Sequence, residues 1–130
     1  SDQAFDLILV DGFDADARAG ALDTLPFYQA CRAHLDDTGL LVVNLLGRNR
    51  GFKGSVDRIK SAFDQRAMVF PSSAHGNAIA FAASGEPVSI TLGKLSLQAL
   101  ALRKATGLNL LPTLARLIQG RTCAGGRLAL

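Results

Sequence analysis

Two continuously apolar segments near the start of the chain flank a helical pattern. The first is DLILV at residues 6–10, and the second is LLVVNLL at residues 40–46. Unbroken apolar runs of this length are typical of strands that are buried on both faces of a parallel sheet. Between them, Tyr28, Cys31 and Leu35 recur at helical spacing. The order of strand, helix and strand therefore predicts a βαβ unit with a right-handed crossover.

The intervening helix carries signals for both of its ends. Thr24 is a candidate N-cap, and Pro26 suits the first helical turn, where a backbone N–H is not needed. Gly39 is predicted to end the helix, because glycine is favoured just beyond a helix C-terminus.

The rest of the chain predicts further elements of the same sheet. A glycine-rich basic loop, GRNRGFKG at residues 47–54, leads into a helical pattern with Phe52, Val56, Ile59 and Phe63 on one face. AMVFP at residues 67–71 and NAIAFAAS at residues 77–84 are predicted strands. Because only five residues, SSAHG, join them, we expect an antiparallel hairpin. Two helical patterns follow, around residues 95–106 and 112–118, separated at Gly107.

These elements predict an α/β fold: a partial Rossmann-like sheet with two parallel strands and an antiparallel C-terminal hairpin, flanked by helices. We expect residues 1–120 to form a single domain, since 130 residues suffice for one core. Residues 121–130 are expected to form a flexible tail. A half-sheet that opens on an apolar strand has an unpaired edge, which predicts a homo-oligomer formed through that edge.

Composition excludes several classes of function. Hydrophobic residues make up 48% of the chain and charged residues 19%, as in folded globular proteins. No apolar run approaches the roughly 20 residues that span a bilayer, so no membrane partner is predicted. The net charge of +3 is mild and the basic residues are spread along the chain, so no nucleic-acid partner is predicted. Cys31 and Cys123 form no CxxC pattern and indicate free thiols in a reducing cytoplasm.

Three acids, Asp11, Asp14 and Asp16, follow the first apolar segment directly. Ligands of open α/β sheets bind in the crevice outside the carboxyl ends of the strands. Asp11 is the first residue beyond the apolar run, so its carboxylate is predicted to point into that crevice. Asn44, near the end of the second segment, is predicted to line the same crevice. The alternative is that these acids cap turns or accept backbone N–H groups at a strand end. No metal site is predicted.

The stretch FDLILVDGFDADARAGALDTLPFYQACRAHLDDTGLLVVNLLG at residues 5–47 resembles the spermidine synthase family, the polyamine aminopropyltransferases. Members of that family have the fold of S-adenosylmethionine-dependent methyltransferases. A buried strand that ends in D-x-x-D is matched by Asp11 and Asp14, and a helix that opens with F-Y is matched by Phe27 and Tyr28. The segment AMVFPSSAHGNAIAFAAS is similar to the last two strands of the family.

The resemblance implies a transfer of an aminopropyl group from decarboxylated S-adenosylmethionine to a polyamine. It implies that Asp11 is the catalytic base and that Asp14 helps to hold the amine. Asn44 and Tyr28 are further candidates for substrate binding, although the position of Tyr28 at a helix start favours a place in the core. The chain has no glycine-rich cofactor loop, so it corresponds to the C-terminal half of the family's fold. We therefore expect the chain alone to bind no cofactor and to be inactive without the N-terminal half.

The sequence departs from the family pattern between the two acids. Gly12 and Phe13 stand where the family usually has two serines. Two other functions therefore stay open. One is a methyltransferase of the same fold, and the other is a non-catalytic domain that keeps the fold for assembly or regulation.

Overall fold

The computed structural model describes residues 3–12, 20–47, 50–70, 76–120 and 122–130. The chain divides into two compact units, Ser1–Glu86 and Pro87–Leu130. The single domain over residues 1–120 and the flexible tail stay predictions, and each unit is described by itself. None of the helices in the described ranges is long and apolar enough to cross a membrane.

The first unit contains a four-stranded sheet with helices on one side. Strands β1, Phe5–Val10, and β2, Leu35–Leu46, run parallel. Strands β3, Ala67–Val69, and β4, Asn77–Ala83, run antiparallel to each other, and β4 pairs antiparallel with β2. The order across the sheet is β1-β2-β4-β3. The helices are α1, Leu25–Ala33, and α2, Phe52–Ala62. The predicted α/β fold class, with two parallel strands and an antiparallel hairpin, is confirmed.

Helix α1 begins as predicted and ends earlier than predicted. The Thr24 hydroxyl accepts a hydrogen bond from the Phe27 N–H at 3.3 Å, so Thr24 is the N-cap. The helix ends at Ala33 with His34 as its C-cap, and Leu35 already belongs to β2. The prediction that Gly39 ends the helix is wrong, because Gly39 lies inside β2.

The start of β2 explains why a glycine stands at position 39. Between the pairs Phe5↔Leu35 and Leu7↔Leu40, β2 advances five residues while β1 advances two, so the extra residues of β2 must bulge out. A Cβ on Gly39 would lie 2.8 Å from the Leu35 Cβ and 3.1 Å from the Phe5 carbonyl oxygen. Only a residue without a side chain fits between the two strands at this point.

The core lies between the sheet and the two helices. Its largest fully buried side chains are Tyr28, Leu41, Ile59 and Phe63. Because successive strand residues face opposite sides, Leu41, Val43 and Leu45 of β2 point to this helix side together with Ala78, Ala80 and Ala82 of β4. Asn44 therefore points to the other side of the sheet.

Strand β1 is not buried on both faces, contrary to the sequence prediction. It forms one edge of the sheet, with β2 as its neighbour. Ile8 and Val10 pack partly against the core, whereas Leu7 and Leu9 on the opposite face are 50% and 69% exposed. An unbroken apolar run therefore does not distinguish a central strand from an edge strand.

The second unit contains a strand pair and two helices. Strands β5, Ser89–Thr91, and β6, Arg127–Ala129, pair antiparallel. Helices α3, Leu92–Thr106, and α4, Leu111–Gln119, contact each other. Gly107 ends α3 at a φ of 80°, so the predicted break at this residue is confirmed. The pairing of β5 with β6 was not predicted from the sequence.

Substitution of Gly39 tests the close approach of β1 and β2. Gly39→Ala is expected to lower the free energy of unfolding by about 1–3 kcal/mol, since the new methyl group overpacks the strand junction. Gly93→Ala is the control, because apart from its chain neighbours and the backbone of its own helix, α3, no described atom lies within 4 Å of a Cβ at that position. There alanine is expected to raise stability by about 0.5–1 kcal/mol. Urea denaturation followed by circular dichroism measures both, and equal effects would contradict the assigned packing.

Candidate functional site

A polar pair, Asp11 and Asn44, lies where β1 and β2 approach their carboxyl ends. The Asn44 Nδ2 donates a hydrogen bond to the Asp11 Oδ1 at 3.0 Å. Asp11 follows the last residue of β1, and Asn44 is third from the end of β2. Parallel strands bring their carboxyl ends to the same edge, so the register of β1 and β2 places the two side chains together.

The orientation of the Asn44 amide is set by its partner. A carboxylate accepts hydrogen bonds only, so the amide nitrogen must face Asp11. The Asn44 Oδ1 therefore points away from Asp11. This oxygen is buried and has no hydrogen-bond partner in the described ranges. A buried acceptor without a donor costs free energy, and an incoming N–H group would remove that cost.

The Asp11–Asn44 pair offers hydrogen-bond acceptors and a negative charge. Asp11 is exposed, so a small cation can reach its carboxylate from solvent. Among the described residues, no group of three or more histidine, cysteine, aspartate or glutamate side chains could hold a metal ion. A carboxylate next to an amide oxygen suits a cation that carries several hydrogen-bond donors, such as an ammonium group with three N–H bonds.

The other predicted site residues are not part of this pair. Asp14 lies outside the described residues. Tyr28 is fully buried in the core on the helix side of the sheet, and Asn44 points to the opposite side. The roles predicted for Asp14 and Tyr28 in substrate binding stay predictions.

A second polar cluster was missed by sequence analysis. It consists of Asp23, Tyr28, Ser55 and Arg58, and we call it the Asp23 cluster. Tyr28 donates to the Asp23 Oδ1 at 2.8 Å, while Ser55 and Arg58 donate to the Asp23 Oδ2 at 2.7 and 2.6 Å. The Arg58 Nη2 also donates to the Ser55 hydroxyl at 3.3 Å. The residue spacings typical of helices, strands and turns are local, so they do not connect residue 23 with residues 55 and 58.

The Asp23 cluster is embedded in the fold. The Asp23 and Arg58 side chains are 21% and 36% exposed, and Ser55 is buried. Burial, together with the adjacent Asp23 carboxylate, raises the pKa of the Tyr28 hydroxyl well above its ordinary value. The hydroxyl therefore stays protonated and remains a hydrogen-bond donor at every physiological pH.

An apolar groove of about 420 Å³ lies along β1 and α1. Its lining residues are mostly apolar: Phe5, Leu7, Ile8, Phe27, Ala30, Cys31 and His34. It contains no carboxylate or side-chain amide that could bind a ribose or the edge of an adenine.

Comparison with curated proteins identifies relatives of one kind. The chain is 34% identical over 104 residues to a polyamine aminopropyltransferase of Neisseria meningitidis serogroup A, which is 80% of this chain and 40% of that protein. It is 32% identical over 82 residues to a polyamine aminopropyltransferase of Chromobacterium violaceum, or 63% of this chain and 31% of that protein. No protein-family model matches the chain. The chain thus spans about 40% of the length of the Neisseria relative.

A solved structure supports the same relationship. A spermidine synthase in complex with the transition-state analogue AdoDATO superimposes with a TM-score of 0.52 and 28% sequence identity. The matched region covers 65% of this chain and 31% of that one. The predicted resemblance to the spermidine synthase family, with its methyltransferase-type fold, is confirmed.

The raised pKa of Tyr28 gives a test of the Asp23 cluster. The folded chain holds the proton more tightly, so this contribution to stability is complete below about pH 10, the ordinary tyrosine pKa, and is lost as the pH rises above it. Tyr28 is the only tyrosine and there is no tryptophan, so the ultraviolet absorbance of tyrosinate reports this residue alone. We expect ionisation to coincide with alkaline unfolding.

The matched variant is Tyr28→Phe, which removes the titrating group and one hydrogen bond. We expect it to cost about 1 kcal/mol at neutral pH and to flatten the fall of stability above about pH 10. A reversible wild-type titration at the ordinary pKa, in protein that remains folded, would contradict the assigned burial and hydrogen bond.

Proposed function

We propose that this chain, as a relative of the polyamine aminopropyltransferases, is the amine-handling part of an enzyme that transfers an aminopropyl group to a polyamine. The observation that carries the proposal is the pair of Asp11 and Asn44, 3.0 Å apart at the carboxyl ends of two parallel strands. The Asn44 Oδ1 supports it further, because this buried acceptor has no donor in the described ranges.

The chemistry of the substrate explains why a carboxylate is needed. An aliphatic amine with a pKa near that of lysine, about 10.4, is an ammonium ion at neutral pH and has no lone pair for attack. Asp11 first attracts this ion, and the Asn44 oxygen accepts a second N–H. Asp11 then accepts one proton, which leaves the nitrogen with a free lone pair.

The proton transfer requires that the two pKa values approach each other. In water an aspartate, with a pKa of about 3.9, is a much weaker base than an amine. Where the bound substrates exclude water, the neutral acid and the neutral amine are favoured over the ion pair, because a medium of low dielectric disfavours charge. A second ammonium group in the same polyamine lowers the pKa of the first further.

The donor is proposed to be decarboxylated S-adenosylmethionine. When it is bound, it supplies the electrophilic carbon next to its sulfonium. The solved relative that contains AdoDATO supports a donor of this kind. In this proposal, this chain contributes the groups that hold and deprotonate the amine. Asp14, the second acid of the D-x-x-D motif, is proposed to help hold the amine.

We also propose that the protein is a homo-oligomer that assembles through the open edge of β1. The support is the exposure of Leu7 and Leu9 on an edge strand, since such edges favour pairing with a further strand.

Cys31 and Cys123 are free thiols, which suits the proposed cytoplasmic location.

The edge proposal predicts a change in mass upon substitution. Leu9→Lys places a charge on the open edge, a feature that blocks strand pairing in natural sheets. Wild-type protein is expected to show a multiple of the 13.7 kDa chain mass by light scattering, and the variant to shift towards 13.7 kDa. Leu97→Lys, on an exposed position of α3, is the control and should leave the mass unchanged. A monomeric wild type would disprove assembly through β1.

The catalytic proposal predicts a large loss of transfer in Asp11→Asn. The amide keeps the shape of the side chain but can neither attract the ammonium nor accept its proton. We expect a fall of about 10²–10⁴-fold in aminopropyl transfer by the complete natural protein that contains this chain, measured as polyamine product.

Asp37→Asn is the matched control. Asp37 is an exposed acid near the amino end of β2, and Asn44 lies near the opposite end of the same strand. This variant should retain the wild-type rate. An active wild type whose rate is unchanged by Asp11→Asn would refute the role of Asp11, and a folded wild type without transfer would refute the proposed function.

A further inference from the structure

The Asp23 cluster and the candidate base Asp11 are connected through two intermediate residues. Asp23 ends a short 3₁₀ helix, Gly20–Asp23, that also contains Leu22. Leu22 lies against Gly12, the residue that follows Asp11. A Cβ on Gly12 would overlap the Leu22 Cδ1 atom, so the side chain of Leu22 occupies the space beside the Gly12 backbone.

The Asp23 cluster fixes the position of this short helix. The Asp23 carboxylate accepts from Tyr28 of α1 and from Ser55 and Arg58 of α2. The Gly51 carbonyl oxygen, 3.0 Å from the Ser55 hydroxyl, is the alternative acceptor for the single proton of that hydroxyl. Three donors from two helices therefore converge on one partly buried carboxylate. Hydrogen bonds to a charged, partly buried group are among the stronger polar interactions in proteins.

Strand β1 ends at Val10, so neither Asp11 nor Gly12 belongs to the strand. In the described ranges, the side chain of Asp11 is held by the single bond from Asn44. Packing of Leu22 against Gly12 therefore limits the directions in which the Asp11 carboxylate can point.

We infer that the Asp23 cluster positions Asp11 through the packing of Leu22 against Gly12. The Asp11 carboxylate is thereby oriented to accept a proton from the bound amine. This inference rests on the proposed function. Asp23 and Arg58 touch neither substrate nor reacting atoms in this account and are positioning residues. Misplacement of a catalytic group by about 1 Å can cost up to about 10²-fold in rate.

The test compares Asp23→Ala with Asp23→Asn in the complete natural protein. Alanine removes all three acceptor interactions, whereas asparagine retains an oxygen for Ser55 and Arg58 and a nitrogen that the Tyr28 oxygen can accept from. We expect Asp23→Ala to lower kcat about 10- to 100-fold with a much smaller change in the KM for the amine, because Asp11 still attracts the cation. Asp23→Asn is expected to restore most of kcat.

A second readout is independent of activity. Nuclear magnetic resonance relaxation of the Gly12 amide is expected to show higher mobility in Asp23→Ala than in wild type, with recovery in Asp23→Asn. Asp57→Ala is the control, since the Asp57 carboxylate pairs with Lys53 at 2.7 Å and is more than half exposed. This variant should change neither kcat nor the mobility of the Gly12 amide.

The outcomes separate this inference from the proposed function. An inactive wild type refutes the proposed function, and the Gly12 measurement then still decides whether the link exists. If the wild type is active and folded Asp23→Ala has an unchanged kcat, the inference is overturned. Unchanged mobility of the Gly12 amide in Asp23→Ala also overturns it. A loss of thermal stability alone, with normal kcat at a temperature where the variant is folded, would assign the Asp23 cluster a purely structural role.

Discussion

The pairing of β2 on both of its edges is the interaction on which the rest of the first unit depends. Strand β2 runs parallel to β1 and antiparallel to β4, so its register fixes both neighbours. Its alternation places Leu41, Val43 and Leu45 in the core and turns Asn44 to the opposite side. A shift of one residue would expose the core side chains and bury the amide. The site is therefore specified by the same register that builds the core.

The two polar groups in this unit differ in what they can do. Asp11 and Asn44 lie at a strand end with an exposed carboxylate and a buried amide oxygen that has no donor in the described ranges. In the Asp23 cluster, by contrast, Tyr28, Ser55 and Arg58 all donate to one carboxylate. Acceptors that are available for hydrogen bonds suit a ligand with N–H donors. A carboxylate that already accepts from three donors suits a structural role in holding helices together. This difference is the reason that we propose ammonium binding for the first group and positioning for the second.

Patterns within short stretches of the sequence predict most of the helices and strands, and the parallel pairing of β1 with β2 predicts that Asp11 and Asn44 lie close together. The sequence predicts that Asp11 and Asn44 line one crevice, because Asp11 follows the first apolar segment and Asn44 lies near the end of the second, and the structure brings the two side chains together. Leu35 was misassigned because its spacing from Tyr28 and Cys31 fits a helix, although β2 begins there. The exposure of Leu9 and the Asp23 cluster depend on which elements become neighbours in space. Residues 23 and 58 are joined by the packing of α2 against the start of α1, which no local pattern encodes.

The most direct test of the account is whether the Asp11–Asn44 pair binds an ammonium ion. Nuclear magnetic resonance can follow the Asn44 side-chain amide and the Asp11 carboxyl carbon while putrescine is titrated into the protein. We expect saturable shifts of both signals in wild type and loss of the Asn44 shift in Asp11→Asn. Shifts that are absent in folded wild-type protein at millimolar putrescine, or that persist unchanged in Asp11→Asn, would contradict it.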